Sequence, residues 1–266
     1  MVRLYTKNDL IAAIRDISES GWKQSVRRPG NDGAVGNTLE QLLGIEENNL
    51  PIPNALEWEL KGQRSKTGSL VTLKHIEPSP TGAKIVVSVL LPLYGWKHKQ
   101  AGRKYPATER SFRSTTNANE FTSRGFQIVV DRTQKKLRFI FDASKTDKAT
   151  PEIAQWLTAV QKTVGLGPIS PEPYWGFDDL KYAIGEKIKN CFYVIADSKI
   201  EREKELFQYK SLLVLSGFSF DNFLNCLENG TVLVDFDART GHNHGTKFRI
   251  RQGQWANLYS ETRQVF

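Results

Sequence analysis

The spacing of apolar positions changes several times along the chain, and each change predicts an element. In "TKNDLIAAIRDISESG", Leu10, Ile11, Ile14 and Ile17 recur at helical spacing, with polar capping candidates ahead of them and Gly21 to end the helix. "GNDGAVGNTLEQLLG" is a glycine-punctuated loop entering a second, short helix that holds Glu40. Strand patterns follow in "LEWELK", "SLVTLKH" and "AKIVVSVLLPL". The last contains the longest apolar run, Ile85 to Tyr94, read as a buried strand. Phe126, Ile128 and Val130 alternate in "GFQIVVD", as do Leu137, Phe139 and Phe141 in "KKLRFIFD", and the link "RTQK" predicts a hairpin. Beyond them come a helix ("ATPEIAQWLTAVQKTVG") and a Pro/Gly-rich passage ("GLGPISPEPYWG"). A helix ("FDDLKYAIGEKI"), a strand ("CFYVIAD"), a charged helix ("SKIEREKELFQYK") and two closing strands ("TVLVDFD", "KFRIR") complete the chain. Helices thus alternate with a mixed sheet, an α/β or α+β class. The Pro/Gly passage marks the boundary between two closely packed lobes, 1–167 and 168–266.

Composition narrows the class. A chain of 266 residues buries a sizeable core, and 39% hydrophobic with 25% charged residues is an ordinary globular balance. Lys plus Arg exceed Asp plus Glu by 37 − 29 = 8 and the pI is about 9.4, which favours a polyanionic partner, nucleic acid ahead of an anionic membrane surface. A merely basic soluble enzyme is the bland alternative. "MVRLYTKNDL" carries charges where a signal peptide needs its apolar stretch, and no apolar run approaches the roughly 20 residues of a membrane span. Cys191 and Cys226 offer neither a disulfide framework nor a closely spaced zinc pair, in keeping with a reducing cytoplasm.

Candidate chemistry centres on "IPNALEWELKG". On a strand, Glu57, Glu59 and Lys61 share one face while Trp58 and Leu60 take the other. Phosphodiester hydrolysis needs a metal to polarise the phosphoryl oxygen and activate water, with a cation for the developing charge. Carboxylates suit Mg²⁺, and a lysine beside them orients the water and stabilises negative charge. Alternating charge on a solvated strand face produces the same letters. Gly30, Gly33 and Gly36 match neither the dinucleotide fingerprint nor a P-loop. "GHNHGTKFRI" spells HNH, but HNH nucleases do not use three adjacent residues, and a zinc site on His242 and His244 lacks further ligands at ordinary spacing. From Pro92 to Arg113 six Lys/Arg stand against one acid, Glu109, with Tyr94, Trp96 and Tyr105 interleaved. Such a stretch grips phosphates or is a solvated face.

Taken in order, "AVGNTLEQLLGIEENNL", "LEWELKG", "SLVTLKH", "YWGFDDL", "VIADSKIEREKELFQYK", "ENGTVLVDFD" and "GHNHGTKFRI" resemble the MvaI/BcnI-type restriction endonucleases of the MutH-like branch of PD-(D/E)xK nucleases. The resemblance implies a monomeric, Mg²⁺-dependent enzyme with a PD-(D/E)xK core. Its catalytic lobe (1–167) and recognition lobe (168–266) would form a cleft for duplex DNA. It makes Glu59 a metal-binding carboxylate, Lys61 the catalytic lysine and Glu40 a supporting helix carboxylate. The family's first metal-binding aspartate falls on Asn54, which would hold the metal with Glu59. Asn54 is either a deliberate change that lets DNA be bound without being cut, or a natural residue leaving a weaker or differently metallated enzyme, or a binder.

The same resemblance makes Asp235, His242, His244 and Arg249 readers of base edges. Arginine pairs with guanine and a carboxylate accepts from cytosine N4, which suits a G·C-rich site of the CC-N-GG kind. The alternative is a hydrogen-bonded loop without DNA contact. His75 matches a histidine that touches the centre of the site in BcnI-like members, or is a satisfied histidine at a strand end. The expected function is a type II restriction endonuclease, with a cytosine methyltransferase as genetic partner. The alternatives are a MutH-like mismatch-repair nickase that needs activating partners and a non-cutting DNA-binding protein.

Overall fold

The computed structural model describes residues 5–45, 57–65, 67–68 and 70–266. The chain opens with α1 (Lys7–Glu19), β1 (Lys23–Gln24), α2 (Ala34–Leu43), β2 (Glu59–Arg64) and β3 (Leu70–His75). After a π-helix (Val86–Tyr94) come β4 (Trp96–Lys97), β5 (Arg110–Thr116), β6 (Arg124–Asp131), β7 (Lys136–Thr146) and α3 (Pro151–Val164). Next are β8 (Tyr174–Gly176), α4 (Phe177–Gly185), β9 (Asn190–Glu201), β10 (Lys204–Phe218) and α5 (Phe220–Glu228). The chain closes with β11 (Val232–Arg239), β12 (His242–Arg251) and β13 (Tyr259–Gln264).

These elements form two compact units, one of residues 1–71, 182–222 and 251–266, the other of residues 72–181 and 223–250. The division differs from a single cut at 167/168. The reason lies in strand pairing: β2, early in the chain, completes its sheet only with β9 and β10, more than a hundred residues later.

The first unit holds a mixed sheet ordered β1-β10-β9-β2, with β13 on β10. β2 runs parallel to β9, placing Glu59 opposite Cys191 and Lys61 opposite Tyr193. Thr6 and Asp9 cap α1 reciprocally. Leu10 and Ile14 of α1, Val35 and Leu39 of α2, Trp58 and Leu60 pack on Phe192, Val194, Phe207 and Tyr209 in one core. Gly62 lets α2 approach this strand, since a β-carbon there would stand 2.9 Å from the Gly36 nitrogen. Gly36 thus lies where α2 comes closest to β2.

The second unit contains the sheet β3-β12-β11-β5-β4 and a three-stranded sheet β6-β7-β8. The expected β6–β7 hairpin forms, with Phe126 opposite Phe141, Ile128 opposite Phe139 and Val130 opposite Leu137. Its inward rings join Phe112 and Phe236, with Phe139 and Phe236 centroids 4.5 Å apart.

Two expected elements take other forms. The run Ile85 to Tyr94 is helical, not a strand. Its buried positions, Ile85, Val86, Val89, Leu90, Leu91 and Tyr94, keep a helix-like face, while Val87 and Ser88 are exposed. A short, continuous apolar run carries no period that separates a strand from a buried helix. Pro92 lies inside it, offers no N–H, and the turns are π-wide. The charged segment "SKIEREKELFQYK" is a hairpin, not a helix. Glu205, Phe207 and Tyr209 are buried alternately, the period of a strand. The reversal falls at Arg202 and Glu203, both at positive φ (49° and 64°), where side chains such as these conceal a turn usually signalled by Asn-Gly.

Candidate active site

Glu59 is 1% exposed, far from the solvated strand face that would imitate an active site. Its Oε1 accepts from Lys61 Nζ at 2.6 Å, and Lys187 Nζ stands 3.1 Å from Oε2. β2 positions the first two residues, and the turn after α4 positions the third. Tyr259 braces that turn by donating its hydroxyl hydrogen to the Ile188 carbonyl at 2.9 Å. Trp58 and Leu60 point into the core as expected, whereas Glu57 is exposed and stands apart from the buried pair. One residue further along the face, Gln63 is buried and accepts from the Tyr193 hydroxyl at 2.6 Å.

Burial would lower the Lys61 pKa, but the Glu59 carboxylate, helped by Glu40 on α2, carries it above the ordinary lysine value. Lys61 is therefore a fixed cation at neutral pH. Glu40 is itself 7% exposed, and its charge raises Lys61 further. Asn54 lies outside the described residues.

Glu59 could give a hard divalent cation one carboxylate oxygen, in exchange for an ammonium contact that it makes now; Mg²⁺ keeps several waters and needs only one or two protein carboxylates. Among the described residues no three His, Cys, Asp or Glu side chains gather in a closed cage.

In the second unit Asp235 accepts from Arg249 Nη1 at 3.1 Å and from Thr115 Oγ1 at 2.9 Å. Beside it Asp237 takes Lys247 Nζ at 3.1 Å and Arg113 Nε at 2.8 Å. Burial would raise Asp237, but Lys247 and Arg113 hold it below the ordinary range, so it stays ionised. β11 and β12 thus present a row of paired donors and acceptors from one sheet face. The His242 and His244 rings meet edge to face at 4.2 Å. Burial lowers His244 despite the opposing Asp237. His75, the last residue of β3, is lowered by burial and by Lys247. Neutral imidazoles can donate through one nitrogen and accept through the other.

The basic stretch divides. Tyr94 is buried, Arg110 donates to the Gly95 carbonyl at 2.5 Å and Arg113 is tied to Asp237. Lys97, Lys99, Arg103 and Lys104 are exposed. Lys187 had no sequence signal, being one of the two lysines of "GEKIKNCF". Asp237 and Lys247 were legible, standing two residues from Asp235 and Arg249 on their strands.

Among solved structures the chain is similar to one titled as the restriction endonuclease MvaI in complex with cognate DNA substrate. The identity is 24% and the TM-score 0.75, over 98% of this chain and 100% of that one. It is also similar to MvaI in the absence of DNA, at 23% identity and a TM-score of 0.54, over the whole of both chains. These likenesses establish a PD-(D/E)xK-type fold. No match was found among curated protein sequences. The profile of the MvaI/BcnI restriction endonuclease family spans residues 11–259, and the chain belongs to that family of site-specific deoxyribonucleases.

Proposed function

We propose that the chain is a monomeric type II restriction endonuclease of MutH-like ancestry that hydrolyses both strands of duplex DNA with Mg²⁺ at a short G·C-rich site of the CC-N-GG kind. The observation that carries this reading is the buried Glu59 carboxylate held between Lys61 and Lys187 in a chain of this family. Glu59 and Asn54 would hold the ion. When bound, Mg²⁺ polarises the scissile phosphoryl oxygen and lowers the pKa of water. Lys61, paired with Glu59 beside the ion, would orient the attacking water and face the charge that develops on the phosphoryl oxygens. Glu40 sustains the charge of Lys61 from α2. Asp235 and Arg249 offer an acceptor and a donor side by side, matching cytosine N4 and guanine O6/N7 of one base pair. His242, His244 and His75 would read the remaining edges, and the exposed lysines and arginine of 97–104 would hold phosphates.

Both cysteines are free and buried, which accords with a cytoplasmic enzyme whose genetic partner is a cytosine methyltransferase. Asn54 favours a second reading, a sequence-specific binder with weakened or no cleavage. Purified protein, supercoiled plasmid and Mg²⁺ separate the readings. Successive cuts by a monomer accumulate open circles and then yield discrete double-strand fragments. Nicking alone fits a MutH-like nickase, and specific binding without cleavage under any divalent metal fits the binder.

A further inference from the structure

The β11–β12 hairpin is irregular where the proposed reading residues sit. Phe236 pairs with Thr246 and Ala238 with Asn243, so Asp237 alone faces both His244 and Gly245. A bulge of this kind bends its strand and re-aims the side chains on it. Gly245, at φ +83°, supplies the left-handed conformation, and a β-carbon there would stand 3.3 Å from His75 Cδ2.

Glu77, two residues past the end of β3, grips the bulge on both sides. Its Oε1 accepts from the Thr246 N–H at 3.0 Å and from Asn243 Nδ2 at 3.3 Å, and Oε2 accepts from Thr246 Oγ1 at 3.3 Å. Asn243 in turn accepts from the Gly245 N–H at 2.9 Å. The backbone ladder leads to this point, with the Ile76 N–H donating to the Thr246 carbonyl at 2.9 Å. His244 is exposed between the two anchored positions. Hydrogen bonds onto a carboxylate are stronger than neutral ones. The same carboxylate, itself exposed, repels phosphate and so works against binding that ignores sequence.

We propose that Glu77 is a positioning residue for sequence discrimination: it pins residues 243–246 and so aims His244, with His75 beside it, at the bases of the site. This rests on the reading of the β11–β12 hairpin as the base-reading element.

The test compares Glu77→Ala, Glu77→Gln and Arg249→Ala for affinity, without metal, on CC-N-GG duplexes of each central pair and on a random duplex. Glu77→Ala should lower the cognate-to-random ratio about ten-fold. Its random-duplex affinity should hold or rise, because a negative charge has gone. A merely structural role would weaken both affinities together. Glu77→Gln keeps an oxygen for the Thr246 N–H and Asn243 and should restore most of the ratio. An unchanged ratio in Glu77→Ala, with the ratio reduced in Arg249→Ala, overturns the proposal and leaves the hairpin as the reader. Unchanged ratios in both overturn the reading of the hairpin as well. Should Glu77→Ala fail to fold, Asn243→Asp sets a second carboxylate against Glu77 at the exposed start of β12 and carries the same expected loss. An unchanged ratio there overturns the proposal equally.

Discussion

Lys187 Nζ lies 3.1 Å from Oε2 of Glu59, opposite the oxygen that Lys61 holds at 2.6 Å, so one buried carboxylate is compensated by two ammonium groups. Removing Lys187 withdraws positive charge from an oxygen with almost no access to water, at a cost of about 1–3 kcal/mol. A divalent ion at Glu59 replaces part of that charge and binds only the folded chain. Lys187→Ala should therefore be destabilised in metal-free buffer and partly recovered by saturating Mg²⁺. Thermal unfolding of both proteins, with and without Mg²⁺, measures this. An equal deficit in both buffers would place the ion elsewhere.

Glu205 gives the first unit an acid-sensitive tie. Arg64 donates to it through Nε at 2.7 Å and Nη2 at 2.8 Å, and the Gly30 N–H adds a bond at 3.1 Å. The Arg64 hydrogen bonds hold its carboxyl below the ordinary glutamate range, against burial, which raises it. The unfolded chain thus takes up this proton more readily. The contribution is complete above the unfolded value of about 4.3 and is lost as pH falls through the lower folded value. Glu205→Gln should cost about 1–3 kcal/mol at neutral pH. Urea unfolding of parent and variant should show the gap closing below about pH 4. A gap independent of pH would show that the tie does not depend on charge.

Arg249→Ala should weaken specific binding by about 1–3 kcal/mol and relax choice at one base pair, as losing a bidentate guanine contact does. Asp235 loses its partner in the same variant, so the pair and not the arginine alone is disrupted. Equal losses on specific and random duplexes would make Arg249 a phosphate contact instead.

What could be read in advance followed from local period. α1, α3, the β6–β7 hairpin, β11 and the second half of β12 each carry a clear spacing of apolar residues, and the acid-x-lysine pair lies on the strand that its alternation indicates, whereas β13, "YSETRQ", has no apolar alternation to announce it. The π-helix escaped because Ile85 to Tyr94 is apolar nearly throughout. The β9–β10 hairpin escaped because its turn residues, Arg202 and Glu203, are not turn formers. Lys187 and Glu77 escaped for another reason. Each acts on residues distant in sequence, Glu59 and Thr246 respectively, and only the folded chain brings them together.

The central claim is that Glu59 and Lys61 are the chemical centre of a metal-dependent nuclease, with Asn54 at the family's aspartate position. The exchange from aspartate is nearly isosteric, so it removes one negative charge and weakens the hold on Mg²⁺ while leaving shape intact. Single-turnover cleavage of one CC-N-GG duplex under Mg²⁺ measures this directly, with the chain as it stands, with Asn54→Asp, and with Asn54→Asp combined with Lys61→Ala. Asn54→Asp should raise the rate by orders of magnitude with little change in metal-free affinity, and adding Lys61→Ala should abolish cleavage while specific binding persists. Asn54→Asp cutting no faster than the parent, or the double variant cutting at the rate of Asn54→Asp, would contradict the account and place the chemistry on other residues.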